Sequence, residues 1–150
     1  MNIYMQMAYD EALGSMDKKE GGPFGAVIVR GNEVISVAHN EVLIRKDPTA
    51  HAEIMAIRYA CERLRTHDLS DCEIYATAKP CPMCKGAIQW SGIKKVFYSG
   101  GYADTLLLNF DDQNFDNDFM TIEKDWQQID NEEFHRIVDA FEKYKEEIHY

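Results

Sequence analysis

Two short runs about thirty residues apart, His51-Ala52-Glu53 and Pro80-Cys81-Pro82-Met83-Cys84, limit what this chain can become more than any other feature. One imidazole and two thiols three apart supply three soft or borderline ligands of the kind zinc takes. Three is an informative number, because structural zinc is usually closed by four protein ligands whereas a catalytic ion keeps one position for water. The other two cysteines fall at an interior helix position, Cys61, and a strand position, Cys72, so neither is an evident fourth ligand. A structural zinc and a redox C-x-x-C pair are the alternatives to a catalytic ion.

The local pattern puts both runs at helix starts. From His51 to about Arg65 the apolar residues Ile54, Ile57, Ala60, Cys61 and Leu64 recur at three- and four-residue steps, which defines one buried helix face. Pro82 suits the first turn of a second helix running to about Ser91. Glu53 then projects from the same turn as His51 and can reach a metal-bound water without ligating the metal. Zinc brings the pKa of such a water from 15.7 toward about 7, and Glu53 is placed as the general base. Cys81 and Cys84 sit about one turn apart at a helix N-terminus, where the dipole favours thiolates.

The rest of the pattern predicts helices alternating with strands. Residues about 2–17 read as a helix that Gly21-Gly22-Pro23 ends. Residues 25–30 read as a buried strand, Gly31-Asn32 as a turn and 34–38 as its hairpin partner. Residues 72–77 and 95–98 are further strands, and residues about 132–147 an amphipathic stretch with Phe134, Ile137, Val138, Phe141 and Tyr144 on one side. This order predicts an α/β layered fold, and 150 residues predict a single domain.

A formal net charge of −10 bears on partners. Nucleic-acid binding draws affinity from Lys and Arg releasing phosphate counterions, and no basic cluster flanks the two runs: Arg63 and Arg65 are isolated and Lys94-Lys95 is a pair only. A hydrophobic content of 45% argues against disorder. No apolar run approaches the roughly 20 residues of a membrane span, and the first residues lack the features of a signal peptide. A cytoplasmic location with free thiols is therefore expected.

The combination of H-x-E with P-C-x-x-C is the signature of zinc nucleobase deaminases, in which the glutamate is acid/base and not a ligand. The chain resembles the cytidine deaminase-like superfamily through Gly22-Pro23-Phe24-Gly25-Ala26-Val27-Ile28-Val29, Asp47-Pro48-Thr49-Ala50-His51-Ala52-Glu53, Ala56-Ile57-Arg58, Pro80-Cys81-Pro82-Met83-Cys84-Lys85-Gly86-Ala87-Ile88, Val96-Phe97-Tyr98 and Phe110-Asp111-Asp112. Within it the bacterial guanine deaminases are most similar, while tRNA adenosine deaminases share the two metal runs. The resemblance implies a three-layer α/β fold, a mixed central β-sheet with helices on both faces. It also implies one zinc per subunit held by His51, Cys81, Cys84 and a water.

Further roles follow from the same resemblance. Asp112 would assist proton transfer around the amino group, with a solvated acidic loop as the alternative. Asn40 would read the polar edge of a purine, or else cap a turn. Phe24 and Trp90 would lie near the base or in the core, and Ala52 would also contact substrate. Residues 113–150 would form a helical segment that can be exchanged between subunits of a homodimer, Tyr150 closing over the partner's site; an ordinary amphipathic end helix is the alternative. The expected reaction is hydrolytic deamination of a free base, guanine giving xanthine and ammonia. A deaminase of cytosine, of a related heterocycle or of tRNA adenosine, and a non-catalytic zinc-binding subunit, are the alternatives. One departure stands out: relatives usually carry glutamate before Pro-Cys, and this chain has Lys79.

Overall fold

The short apolar runs of the sequence become a five-stranded sheet. β1 (Gly25–Arg30) and β2 (Glu33–His39) form an antiparallel hairpin turned through Gly31 at φ +62°, a left-handed conformation glycine adopts at no steric cost. β1 also pairs antiparallel with β3 (Glu73–Ala78), which pairs parallel with β4 (Lys95–Gly100). A two-residue edge strand, β5 (Gln127–Gln128), completes the order β2-β1-β3-β4-β5. The computed structural model describes residues 1–110 and 125–148.

Alternate residues of the strands serve opposite faces. Ala26, Ile28, Ile74 and Val96 pack with α3 (Ala52–Leu64) and α4 (Pro82–Ser91) on one side. Val27, Val29 and Tyr75 pack with α1 (Ile3–Asp17) and α6 (His135–Phe141) on the other. Burial on both faces explains why β1 is an unbroken apolar run, and the three-layer α/β arrangement is the one expected. Asn2 caps α1 by accepting from the Tyr4 and Met5 amides. A Cβ on Gly25 would collide with the Ala8 carbonyl, so glycine there lets α1 lie directly on the start of β1.

Two short helices appear that the periodicity does not foretell, α2 (Val42–Arg45) after β2 and α5 (Tyr102–Leu106) after β4. Neither is long enough to complete an apolar repeat. The amphipathic stretch near the C-terminus divides into a 3-10 turn at Asn131–Glu133 and α6. Its apolar face is nonetheless buried: Phe134, Ile137 and Phe141 join the cluster around α1 of the same chain. Tyr9 donates to Ser99 at 2.6 Å, and Ser99 donates onward to the Asp130 carbonyl at 2.8 Å, fastening this segment to α1 and β4. Among the described residues no helix is long and apolar enough to cross a membrane.

The topology brings four chain ends together. Because β3 and β4 are parallel, α4 is their crossover and begins beside the carboxyl end of β3. β1 runs antiparallel to β3, so Phe24 at its amino end reaches the same edge, where α3 also begins.

Candidate active site

His51 is the N-cap of α3 (φ −66°, ψ 158°) and Cys81 the N-cap of α4 (φ −69°, ψ 169°), with Pro82 at the first helical position. Neither side chain caps its own helix; each turns toward the other. The sulfurs of Cys81 and Cys84 each lie 3.6 Å from His51 Nδ1. All three ligand atoms fall within 4.8 Å of one another.

These distances fit zinc. Zn–S bonds of about 2.3 Å and Zn–N bonds of about 2.1 Å at a tetrahedral angle separate nitrogen from sulfur by about 3.6 Å. One imidazole nitrogen carries at most one proton, so two equal sulfur distances match a shared ion better than a hydrogen bond to either thiol. Cys61 and Cys72 stay outside the group. The two sulfurs are not equivalent. The Cys81 thiol is drawn down to about 4, chiefly by its hydrogen bond with Cys84 and then by His51, while burial pushes Cys84 well above the ordinary thiol value. A divalent cation would hold both as thiolates.

Glu53, in the first turn of α3, is 7% exposed. Burial pushes its carboxyl up to about 7, partly opposed by the charge of His51, and it hydrogen-bonds with Cys84. It is not one of the three ligands. A cation held by those ligands would act in the opposite direction to burial.

A small cleft opens in front of these groups, lined by Phe24, Asn40, His51, Glu53, Ala78, Lys79, Cys81 and Phe110. Asn40 is fully buried and tightly held. Its N–H donates to the Phe24 carbonyl at 3.0 Å, and its carbonyl accepts from the Ser15 hydroxyl at 2.8 Å. Its Oδ1 accepts from the amides of Gly22 at 3.2 Å and Val42 at 3.0 Å. With Oδ1 accepting from two backbone donors, the other polar atom of this amide is Nδ2, a hydrogen-bond donor. A Cβ on Gly21 would collide with Asn40, so that loop closes directly on it.

Phe24 meets Phe110 edge to face, ring centroids 5.2 Å apart. Phe110 in turn leans on Phe141 of α6 at 6.2 Å. The Lys79 ammonium stands 4.6 Å from the centroid of Tyr102, whose hydroxyl donates to the Pro80 carbonyl at 3.0 Å. Lys85, fully buried on α4, points its ammonium at Tyr102 and Trp126.

Of the residues singled out in the sequence, the structure brings together His51, Cys81, Cys84, Glu53, Phe24 and Asn40. Ala52 is fully buried in the core cluster around α3 and is not among the cleft-lining residues. Trp90 is corrected: at 90% exposure it lies neither in the core nor in the cleft of its own chain. The helical repeat turns Cys84, Lys85, Ile88 and Ser91 inward, which leaves Met83 and Trp90 on the outer face of α4. Asp112 and Tyr150 lie outside the described residues. Three cleft residues went unassigned in the sequence, Ala78, Lys79 and Phe110. For the last two the signal was position: Phe110 adjoins the Asp111-Asp112 pair and Lys79 stands two residues before a ligand.

Residues 2–100 match the family described as the cytidine and deoxycytidylate deaminase zinc-binding region. The chain is 44% identical over 109 residues to the guanine deaminase of Bacillus subtilis (strain 168), covering 73% of this chain and 70% of that one. The X-ray structure of guanine deaminase from Bacillus subtilis superposes with a TM-score of 0.72 at 43% identity, over 75% of this chain and 73% of that one. A tRNA-specific adenosine deaminase of Aquifex aeolicus (strain VF5) is 49% identical over 96 residues, 64% of this chain and 63% of the other. A guanine deaminase from Nitrosomonas europaea superposes over 95% of this chain and 83% of its own, with a TM-score of 0.81 at 25% identity.

Proposed function

The chain belongs to the cytidine and deoxycytidylate deaminase zinc-binding family, and from that premise we propose that it is a cytoplasmic enzyme that deaminates a free nucleobase, converting guanine and water to xanthine and ammonia. The observation that carries the reading is the pairing of a three-ligand zinc set with a buried, non-ligating carboxylate, Glu53, that lines the same cleft. Zinc bound by His51, Cys81 and Cys84, one ion per subunit, supplies the Lewis acidity that makes water a nucleophile near neutral pH.

The protein's own groups do the rest. Glu53 accepts a proton from the attacking water, delivers it to the ring nitrogen beside the carbon under attack, and passes a second proton to the departing amine. Asn40 donates from Nδ2 to an acceptor on the purine edge, and Phe24 with Phe110 supplies an aromatic wall for a flat ring. Asp112 assists proton transfer, as the resemblance implies.

The Aquifex relative names the second reading, an adenosine within tRNA. The net charge of −10 opposes it. Ammonia release measured across free bases, nucleosides and tRNA at one enzyme concentration separates the two. Guanine is expected to be turned over fastest, and Glu53→Ala to abolish release while zinc stays bound. Turnover confined to tRNA, or undiminished in that variant, would overturn the reading.

The proposal extends to a homodimer. The outer face of α4, with Met83 and Trp90 exposed, supports association through the helix that carries Cys84. Exchange of residues 113–150 between subunits, with Tyr150 entering the neighbouring cleft, would rebuild between chains the contacts that Phe134, Ile137 and Phe141 make within one. A monomeric mass in solution would contradict both.

A further inference from the structure

We propose that His39 is a positioning residue for Asn40: as an imidazolium bridging Glu11 of α1 and Glu20 of the loop before β1, it fastens that loop around the amide that contacts substrate. The inference rests on the proposed function only in assigning Asn40 to substrate.

His39 is the last residue of β2 and immediately precedes Asn40. Its Nδ1 donates to Glu11 Oε2 at 2.7 Å and its Nε2 to Glu20 Oε2 at 3.3 Å. An imidazole donates from both nitrogens only when doubly protonated. The charged groups facing the ring are Glu11 from α1, Glu20 from the loop and Glu41 from the start of α2, with Arg45 beyond. Glu41 lies close enough to share a cation with Glu20 and His39, but it accepts from Arg45 Nε at 3.0 Å and from the Tyr59 hydroxyl at 2.9 Å. All three donor groups are thus engaged within the protein, and the cluster acts as a tether.

The loop it holds is the one that closes on Asn40. The Glu20 carbonyl accepts from the Leu43 and Ile44 amides at 3.1 and 3.0 Å, Gly21 packs on Asn40, and Gly22 donates to Asn40 Oδ1. Residues 20–22 therefore strap Asn40 from outside while Ser15 of α1 holds its carbonyl from within.

The tether has a pH sign. The hydrogen bond to Glu11 above all, with that to Glu20 and against burial, holds the His39 pKa above the ordinary 6.5. On deprotonation the shorter bond keeps its hydrogen, so the neutral ring still donates to Glu11 and turns a lone pair toward the Glu20 carboxylate. The strap is complete below about pH 6.5 and loses its Glu20 tether as pH rises through the raised value.

The test compares wild type, Glu20→Gln and His39→Gln from below the ordinary imidazole value of about 6.5 to about two units above it. A glutamine at position 20 accepts from a protonated ring and donates to a neutral one, so it keeps the tether in both states. We expect the wild-type KM for guanine to rise about three- to tenfold across the interval in which the His39 NMR signals titrate, with kcat unchanged. KM should be flat and low in Glu20→Gln, flat and raised in His39→Gln. Independently of turnover, exchange protection of the Gly22 and Val42 amides should fall across the same interval in wild type and not in Glu20→Gln. A wild-type pH dependence of KM that persists in Glu20→Gln, or protection indifferent to His39 titration, would overturn the inference. Amide protection that follows His39 in a protein unable to deaminate guanine would sink the functional reading and leave the tether standing.

Discussion

Replacing Asn40 by alanine and by aspartate separates its two jobs. In the alanine variant the Gly22 and Val42 amides lose their shared acceptor inside a buried corner. An unsatisfied buried N–H costs about 1–3 kcal/mol. Two of them would cost up to about 6 kcal/mol, and the adjoining cleft admits water, which brings the expectation to about 2–4 kcal/mol. For a domain of this size each kcal/mol moves Tm by about 2–4 °C, so differential scanning calorimetry should record a fall on the order of 10 °C. Aspartate keeps an acceptor of the same shape for both amides, and its Tm should stay within a few degrees of wild type. It has no Nδ2 to donate, however, and a carboxylate oxygen facing a ring acceptor repels it, so the KM for guanine should rise at least about tenfold. An alanine variant as stable as wild type would refute the argument that Oδ1 anchors the loop. An aspartate variant with unchanged KM would refute the use of Nδ2 as a donor.

Removing zinc with a chelator should lower Tm, because the ligands bind the ion only in the folded arrangement; restored zinc should recover Tm and bind at one equivalent per chain. Cys84→Ala should abolish zinc retention, since the two remaining ligands, His51 and Cys81, are too few to hold the ion; elemental analysis after dialysis reads this directly. Phe134→Ala removes a ring that is 1% exposed and pressed against Gly100, so urea titration should show a loss of about 3–5 kcal/mol with an unchanged m-value. Tyr9→Phe deletes one donor to Ser99, whose hydroxyl keeps its bond to the Asp130 carbonyl, and should cost only about 1 kcal/mol.

What could be read in the sequence was local. Apolar period and turn residues placed α1, the β1–β2 hairpin, α3, β3, α4 and β4 to within about two residues, because each is long enough to show its repeat. The grouping of His51, Cys81 and Cys84 could be anticipated because a metal demands particular atoms, and the nearness of Glu53 because it shares the first turn of the helix that His51 caps. The resemblance singled out Asn40, but not that its Oδ1 is held by the Gly22 and Val42 amides.

Tertiary structure decided the rest, for reasons that no spacing encodes. Nothing along the chain says that Glu11, Glu20 and His39 converge, since they come from a helix, a loop and a strand end; packing α1 across β1 and β2 creates that cluster. The outward turn of Trp90 follows from which face of α4 the sheet claims. Phe110 becomes a cleft wall only because α6, contributed by the other end of the chain, stands behind it. Metal ligands are specified by chemistry and so are written in the sequence, whereas the pocket around them is specified by which surfaces bury one another, and that is settled only when the chain has folded.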